Sequence, residues 1–512
     1  MLRSVCMTPM NPGRLAALRG LIHIGSGPAF LLPRLHDLLA DPDPELRAQA
    51  AAHYGDEGQQ VLRKMIESPE PLVAAGALSV APPALAEATK RRVSDNEPRI
   101  RAAALECAAR IGTEAPLPPR ELGALLEDPD AGVRRAVVSV LARFAGAEEY
   151  TLLAGALADG SAEVRNAAQA ALRGFGAGGV RAVEPRLRSD CERAVVGALR
   201  VLAASGERRA RDLLQGELRW RARELWHDLI AYQLLPIDSS IGGLFLRAAY
   251  QDSMMRNRRL AFRVLELLED PVVTRKVEKV LRLGASRRYA DALEVLSNLG
   301  DREAAQLLVL MHETGALDER LHAARDILSL PTRTTEVLDA SRHAELRWIR
   351  MGTEAFEAPD DSEIREEELM ERLLALRQIP LFAELSLEQL EAVNQIAKEK
   401  VYLSNEVIVR EGDPGGELYL LIEGTVKVFK HYGMLNETEL GTVSAVSYFG
   451  EMAVLDDATR SATIVASERL RLLAVDGANI KELVLEMPEL SFEIFRVLTR
   501  RVRAAEERLD ER

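Results

Sequence analysis

The residues best equipped for chemistry fall in one short run, Phe449-Gly-Glu-Met-Ala-Val-Leu-Asp-Asp-Ala-Thr-Arg-Ser-Ala-Thr463. Gly450 lets backbone amides come close to an anion at the mouth of a short helical turn, where amides are free and the helix dipole favours negative charge. Arg460 can pair with that anion through two parallel N–H groups. Glu451 supplies an acceptor for a hydroxyl, and Ser461 and Thr463 add short hydroxyl donors. An anion beside a hydroxylated ring describes a ribose phosphate. Asp456 and Asp457 would repel a phosphate, so they are expected to point outward.

Such a run needs a frame, and the surrounding pattern supplies one. From about residue 397 the chain turns to short β-like runs, among them Glu406-Val-Ile-Val-Arg410, Glu417-Leu-Tyr-Leu-Leu-Ile422 and Thr425-Val-Lys-Val-Phe-Lys430. The clusters Gly412-Asp-Pro-Gly-Gly416 and Glu423-Gly424 separate them as turns. Strands at this spacing predict a small barrel or jelly roll. A helix containing Ile480 and Leu483 follows, and a longer one from Pro488 to the end closes the chain.

With these residues in place, Leu373 to Arg503 resembles the cyclic nucleotide-binding domains of protein kinase A regulatory subunits, catabolite activators and cyclic nucleotide-gated channels. The segment Gly450–Thr463 is similar to their phosphate-binding cassette, with Glu451 and Arg460 nine positions apart and no insertion. The phrase Ile379-Pro-Leu-Phe382 and the turn glycines Gly412 and Gly424 belong to the same likeness. The resemblance implies that Glu451 accepts from the ribose 2'-hydroxyl and Arg460 neutralises the cyclic phosphate. It implies backbone contacts from Gly450, Met452 and Ala453, with Ser461, Ala462 and Thr463 completing the ligand-binding set and Ser461 reaching the phosphate or the base. Ser directly after the Arg leans towards cAMP over cGMP. The final helix is expected to supply a lid, with Phe492, Phe495, Leu498 and Val502 on one face; the same stripe could instead pack on the barrel or on a second copy in a homodimer. Where catabolite activators place a base-contacting hydroxyl, counting from Pro488 reaches Ala505.

The first two thirds repeat one phrase, an acidic turn ending in an aliphatic residue and Arg. Its copies are Asp41-Pro-Asp-Pro-Glu-Leu46-Arg47, Asp95-Asn-Glu-Pro-Arg-Ile100-Arg101, Asp128-Pro-Asp-Ala-Gly-Val133-Arg134 and Asp159-Gly-Ser-Ala-Glu-Val164-Arg165. From Ile100, Val133 and Val164 the apolar residues follow offsets 3, 4, 7, 8 and 11, the stripe of an amphipathic helix. Asp43 and Asp130 stand where a side chain caps the first free amides, and Pro44 where the amide is not needed. Each unit is a helical hairpin of about 30 residues that must stack to bury its face. The phrase resembles HEAT repeats over about Leu31 to Gly206, with divergent repeats predicted on to about residue 345. Nine acidic residues against one Arg in Glu354–Glu371 predict a solvated linker and an exposed helix start.

The expected architecture is therefore a HEAT-type α-solenoid over 1–350, an acidic linker over 351–371 and a jelly-roll domain with flanking helices over 372–512. Composition agrees, with 47% hydrophobic and 28% charged residues, and with only 4% aromatic. The net charge of −13 argues against a dedicated nucleic-acid binder. Of 66 basic residues only nine are Lys, a bias of codon usage rather than of chemistry. Cys6, Cys107 and Cys191 have neither disulfide nor zinc spacing, which fits a reducing cytosol. No run reaches membrane-spanning length and no signal-like apolar core opens the chain. Gly174-Phe-Gly176-Ala-Gly-Gly179 satisfies a dinucleotide pattern but follows a helix, so it is expected to be an inter-repeat turn. The eight histidines are scattered, and His36-Asp37, His227-Asp228 and His312-Glu313 are isolated pairs without metal-ligand spacing, so neither a metal site nor catalytic residues are expected.

Together these features predict a cytoplasmic, non-enzymatic cyclic nucleotide sensor whose solenoid holds a protein partner. Because the chain stops at Arg512, just after the lid helix, no helix-turn-helix is expected. The alternatives are a soluble regulatory subunit of a membrane transporter, whose soluble tails combine the same two modules, and a scaffold whose cassette no longer binds.

Overall fold

The computed structural model describes residues 14–23, 35–284, 288–358, 364–455 and 458–486, together with Ser491, Phe495 and Thr499. The chain forms two compact units, Met1–Glu217 and Leu218–Arg512.

In the first unit the repeated phrase has a common geometry. Its helices are α1 (Pro44–Ala52), α2 (Pro98–Ile111), α3 (Ala131–Arg143) and α4 (Ala162–Gly174), and the anchors Leu46, Ile100, Val133 and Val164 are buried. Each leading aspartate folds its carboxylate onto the amide two residues on: Asp41 to Asp43, Asp95 to Glu97, Asp128 to Asp130, Asp159 to Ser161. Each arginine after the anchor reaches back six residues to the carbonyl of that aspartate, at 2.7 Å for Arg47 and 2.8 Å for both Arg101 and Arg134. The other arm of Arg101 reaches Asp128 of the next repeat at 2.7 Å, and that of Arg134 grips Asp159 at 2.7 and 2.9 Å. The recurring Asp and Arg are thus mutual caps and rungs between neighbours. Asp43 and Asp130 cap α1 and α3 as their positions predict. Gly176 joins α4 to the helix Ala177–Val183 with a positive φ of 50°, so the dinucleotide-like glycine run is a turn between helices.

The second unit opens its long helices with α5 (Arg208–Leu234), which begins in the first unit, and α6 (Ile241–Leu268). The arginine-to-carbonyl bond of the repeats recurs at the far end of the span expected for the divergent repeats. In α7 (Arg347–Glu357), Arg350 donates to the carbonyls of Ala344 and Glu345, the same backward reach of six residues. Without an aspartate or proline in that turn, the phrase is not visible as a repeat.

Helices α8 (Ile364–Gln378) and α9 (Leu387–Ile396) lead into eight strands. These are β1 (Ala397–Tyr402), β2 (Val407–Val409), β3 (Glu417–Glu423), β4 (Thr425–Lys430), β5 (Thr438–Ser444), β6 (Ser447–Phe449), β7 (Thr463–Ala466) and β8 (Leu470–Asp476). They form two antiparallel four-stranded sheets, β1-β8-β3-β6 and β2-β7-β4-β5, packed as a jelly roll. Tyr419, Leu421, Leu472 and Ala474 face the second sheet. Leu418, Leu420, Leu473 and Val475 face away from it, into a core shared with Leu373, Leu376, Ile379 and Phe382 and with Phe245, Leu246, Trp348 and Ile349 of α6 and α7. Strands β3 and β8 are therefore covered on both faces and read as unbroken apolar runs.

The acidic stretch lies largely within helices. Glu354 and Glu357 end α7, while Glu366 and Glu367 occupy the first turn of α8, where negative charge opposes the helix dipole favourably. Because α7 and α8 both bury apolar residues in that one core, the compact units divide at Glu217/Leu218 and not in this stretch. Among the described residues no helix is long and apolar enough to cross a membrane.

Candidate functional site

Strand β6 stops at Gly450, which takes φ +87° and turns the chain into the short helix α10 (Glu451–Leu455). A side chain is strained there. A Cβ would stand 2.4 Å from Nη1 of Arg460 and 3.0 Å from the carbonyl oxygen of Glu417, in a backbone region that side chains rarely adopt. Beyond it, Glu451 is only 8% exposed, Met452 turns outward, and Ala453 and Val454 are buried. Ala453 lies so close to the 412–416 turn that a Cβ on Gly415 would approach its own Cβ to 2.0 Å. The turn and α10 fit each other through small residues.

Arg460 arrives from a separate segment. Its amide donates to the Asp413 carbonyl at 2.8 Å and its carbonyl accepts from Gly412 at 2.9 Å, while Pro414 bridges to Thr459. These bonds fix the main chain, and the side chain runs under α10. Nη1 donates to the Gly450 carbonyl at 3.1 Å and Nη2 to the Glu417 carbonyl at 2.8 Å. The guanidinium lies 5.3 Å from the centre of the Tyr419 ring. At 6% exposure it is a buried cation held by carbonyl oxygens, with no carboxylate within ion-pair distance among the described residues. Two carbonyls accept from its N–H groups without cancelling its charge, and a buried charge with no close counter-ion is costly. An anion at this point would remove that cost.

The structure thus brings Gly450 and Arg460 into contact, with Glu451 and Ala453 beside them. Ser461 is exposed, and Ala462 and Thr463 are buried as the chain enters β7. The Thr463 hydroxyl oxygen already accepts from the Glu411 amide at 3.0 Å, so its position is tied to the strand as well as to the cassette. Gly412 and Gly424 occupy turns with φ of +87° and +91°. Phe495 is exposed. Phe492, Leu498, Val502 and Ala505, together with Asp456 and Asp457, lie outside the described residues.

Three residues around Arg460 escape the motif. Lys400 of β1 donates to both carboxylate oxygens of Glu417, at 2.9 and 2.8 Å, and the Tyr419 hydroxyl donates to one of them at 2.6 Å. Burial would raise the Glu417 carboxyl, but these two donors, with the positive charges of Lys400 and, least, of Arg460 adding to them, hold it below its ordinary value. Tyr419 moves the other way, its hydroxyl pushed up by burial and by the adjacent carboxylate. Period-two alternation puts Glu417 and Tyr419 on one face of β3, a signal masked by the apolar run around them.

Comparison with known proteins fits this geometry. Residues 399–486 match the family model of the cyclic nucleotide-binding domain, and residues 82–173 match that of HEAT repeats. The chain is similar to the cyclic AMP receptor protein of Thermus thermophilus, 32% identical over 131 residues, which cover 26% of this chain and 61% of that protein. It is similar to a cyclic nucleotide-gated potassium channel of Mesorhizobium japonicum, 32% identical over 145 residues, covering 28% and 39%. It is also similar to the cGMP-dependent protein kinase, isozyme 1, of Drosophila melanogaster, 33% identical over 118 residues, covering 22% and 15%. The chain spans less than two thirds of the length of each of these relatives. Two family models therefore match this chain in turn, that of HEAT repeats over 82–173 and, after it, that of the cyclic nucleotide-binding domain over 399–486.

Proposed function

We propose that this protein is a cyclic nucleotide sensor, favouring cAMP over cGMP, in which the C-terminal domain binds ligand and regulates a HEAT scaffold that holds a protein partner. The observation that carries the proposal is the buried Arg460 guanidinium, held by two carbonyls against a glycine that leaves no room for a side chain. A cyclic phosphate supplies the missing negative charge, and the planar fork of Arg460 suits its oxygens. Glu451 receives the ribose hydroxyl, and the amides of Met452 and Ala453 close on the phosphate. Ser461, beside the Arg, reaches the phosphate or the base. The relatives named for cyclic AMP and for cGMP support a cyclic nucleotide ligand in general, and Ser461 tilts the choice to cAMP.

The ligand does work on the rest of the protein only through differential affinity for two arrangements. The route proposed runs from α10 through Val454 into the core that holds α8, and from there to α6 and α7. A second reading, a regulatory subunit of a membrane transporter, draws support from the likeness to a potassium channel. Co-sedimentation with membranes that depends on the solenoid would favour it.

Calorimetric titration with cAMP and cGMP tests the ligand. The wild type should bind saturably, and Arg460→Ala should lose on the order of 3 kcal/mol, about a hundredfold in affinity. Binding of neither nucleotide by the wild type would leave a scaffold with a structural barrel.

A further inference from the structure

Glu417 contributes to the site twice, in opposite senses. Its carbonyl accepts from Arg460 at 2.8 Å, while its carboxylate accepts from Lys400 and from the Tyr419 hydroxyl. The Tyr419 ring carries both cations, Arg460 at 5.3 Å and the Lys400 ammonium at 5.5 Å from its centre. That ring stacks on Phe449, the residue before Gly450, with centroids 5.2 Å apart.

A carboxylate on the very residue whose carbonyl holds a buried guanidinium is an obvious counter-ion for it. Arginine–carboxylate pairs are strong and two-pronged, and a tethered partner acts at high effective concentration. Were Glu417 to turn towards Arg460, it would occupy the N–H groups that a phosphate requires.

We infer that Lys400 and Tyr419 hold the Glu417 carboxylate away from Arg460 and so keep the guanidinium available to the phosphate of a cyclic nucleotide. Lys400 is then a positioning residue that acts through Glu417 and makes no contact with ligand itself. This rests on the proposed reading of the cassette as a cyclic nucleotide site. It accounts for a lysine, in a chain with only nine, gripping both oxygens of one glutamate beside the cassette.

The test is calorimetric titration of the full chain with cAMP and cGMP, comparing wild type, Lys400→Met, Glu417→Gln and the double variant. Lys400→Met frees the carboxylate to pair with Arg460 and should weaken binding roughly tenfold. Glu417→Gln keeps the carbonyl that holds Arg460 but has no charge to offer, so its own affinity is the reference for the double variant. The double variant should recover to the Glu417→Gln affinity, a rescue that loss of folding or a merely structural lysine cannot produce. Unchanged affinity in Lys400→Met, or a double variant as weak as Lys400→Met, overturns this inference and leaves the sensor reading standing. A wild type that binds neither nucleotide overturns both.

Discussion

Gly450 and Arg460 depend on each other, because the space a Cβ would fill is the space the guanidinium occupies. Gly450→Ala should therefore cost about 1–3 kcal/mol of stability through the strained φ and the clash, and should weaken cyclic nucleotide binding in titration more than its change in melting temperature explains. A second residue-scale prediction concerns Asp228 on α5. Its carboxyl is buried and accepts from Ser253 and Asn257 on α6. Burial pushes it up to about 7; Glu224 adds to the rise, while the two hydrogen bonds and Arg221 oppose it. In an unfolded chain the same group titrates near about 4. Between these values the folded chain holds a proton that the unfolded chain has released. The stability this carboxyl contributes is full below about pH 4 and is lost as pH rises through about 7. Asp228→Asn should flatten that part of the pH–stability curve and melt higher than wild type at pH 8 but not at pH 4.

Among the elements, the repeat helices are joined by more than apolar contact. Arg134 binds its own turn and the aspartate of the next repeat, and Asp159 holds the arginine up. Arg134→Ala leaves two turn carbonyls without this donor and the half-buried Asp159 carboxylate with the Ser161 amide alone, so a loss of about 1–3 kcal/mol is expected. Hydrogen exchange should quicken in the turns at 128–131 and 159–161. Arg134→Lys should not restore protection, since an ammonium cannot span both partners. Helices α6 and α7 meet by another device, close approach at glycine. A Cβ on Gly242 would come within 2.5 Å of the Ala355 carbonyl carbon, and one on Gly352 within 2.9 Å of the Leu246 Cα. That contact brings Leu246 and Ile349 into the core beside α8.

At the level of the whole molecule, the second unit matters most, because one continuous core includes Val454 of the cassette, Leu373 and Leu376 of α8 and Phe245 of α6. Packed interiors transmit displacement poorly as gradual strain and better as a change between discrete arrangements. Saturating cyclic nucleotide should therefore change hydrogen-exchange protection in residues 365–378 and in α6, beyond the cassette itself. Protection that changes only within 450–463 would sink the coupling while leaving ligand binding intact.

Much of this was legible in the sequence because the chemistry involved is local. A helical stripe, an aspartate six residues before an arginine, and a glycine followed by Glu and then Arg are short-range patterns whose spacing is set by backbone geometry. They suffice to predict the repeats and the jelly roll, and to propose the cassette. The repeat at Arg350 was hidden because its turn keeps the carbonyl bond but not the Asp or Pro that signals it. The acidic stretch reads as a linker because charge reports exposure, and an exposed helical face carries as much charge as a coil. Lys400, Glu417 and Tyr419 stood on β1 and β3 without a motif, since nothing in their separation along the chain says that β8 brings those strands into one sheet. Which cation neutralises which carboxylate, and which arginine is left for an anion, depends on distances across strands. Only the tertiary structure decides those, because Coulomb and hydrogen-bond energies depend on separation in space and not on separation along the chain.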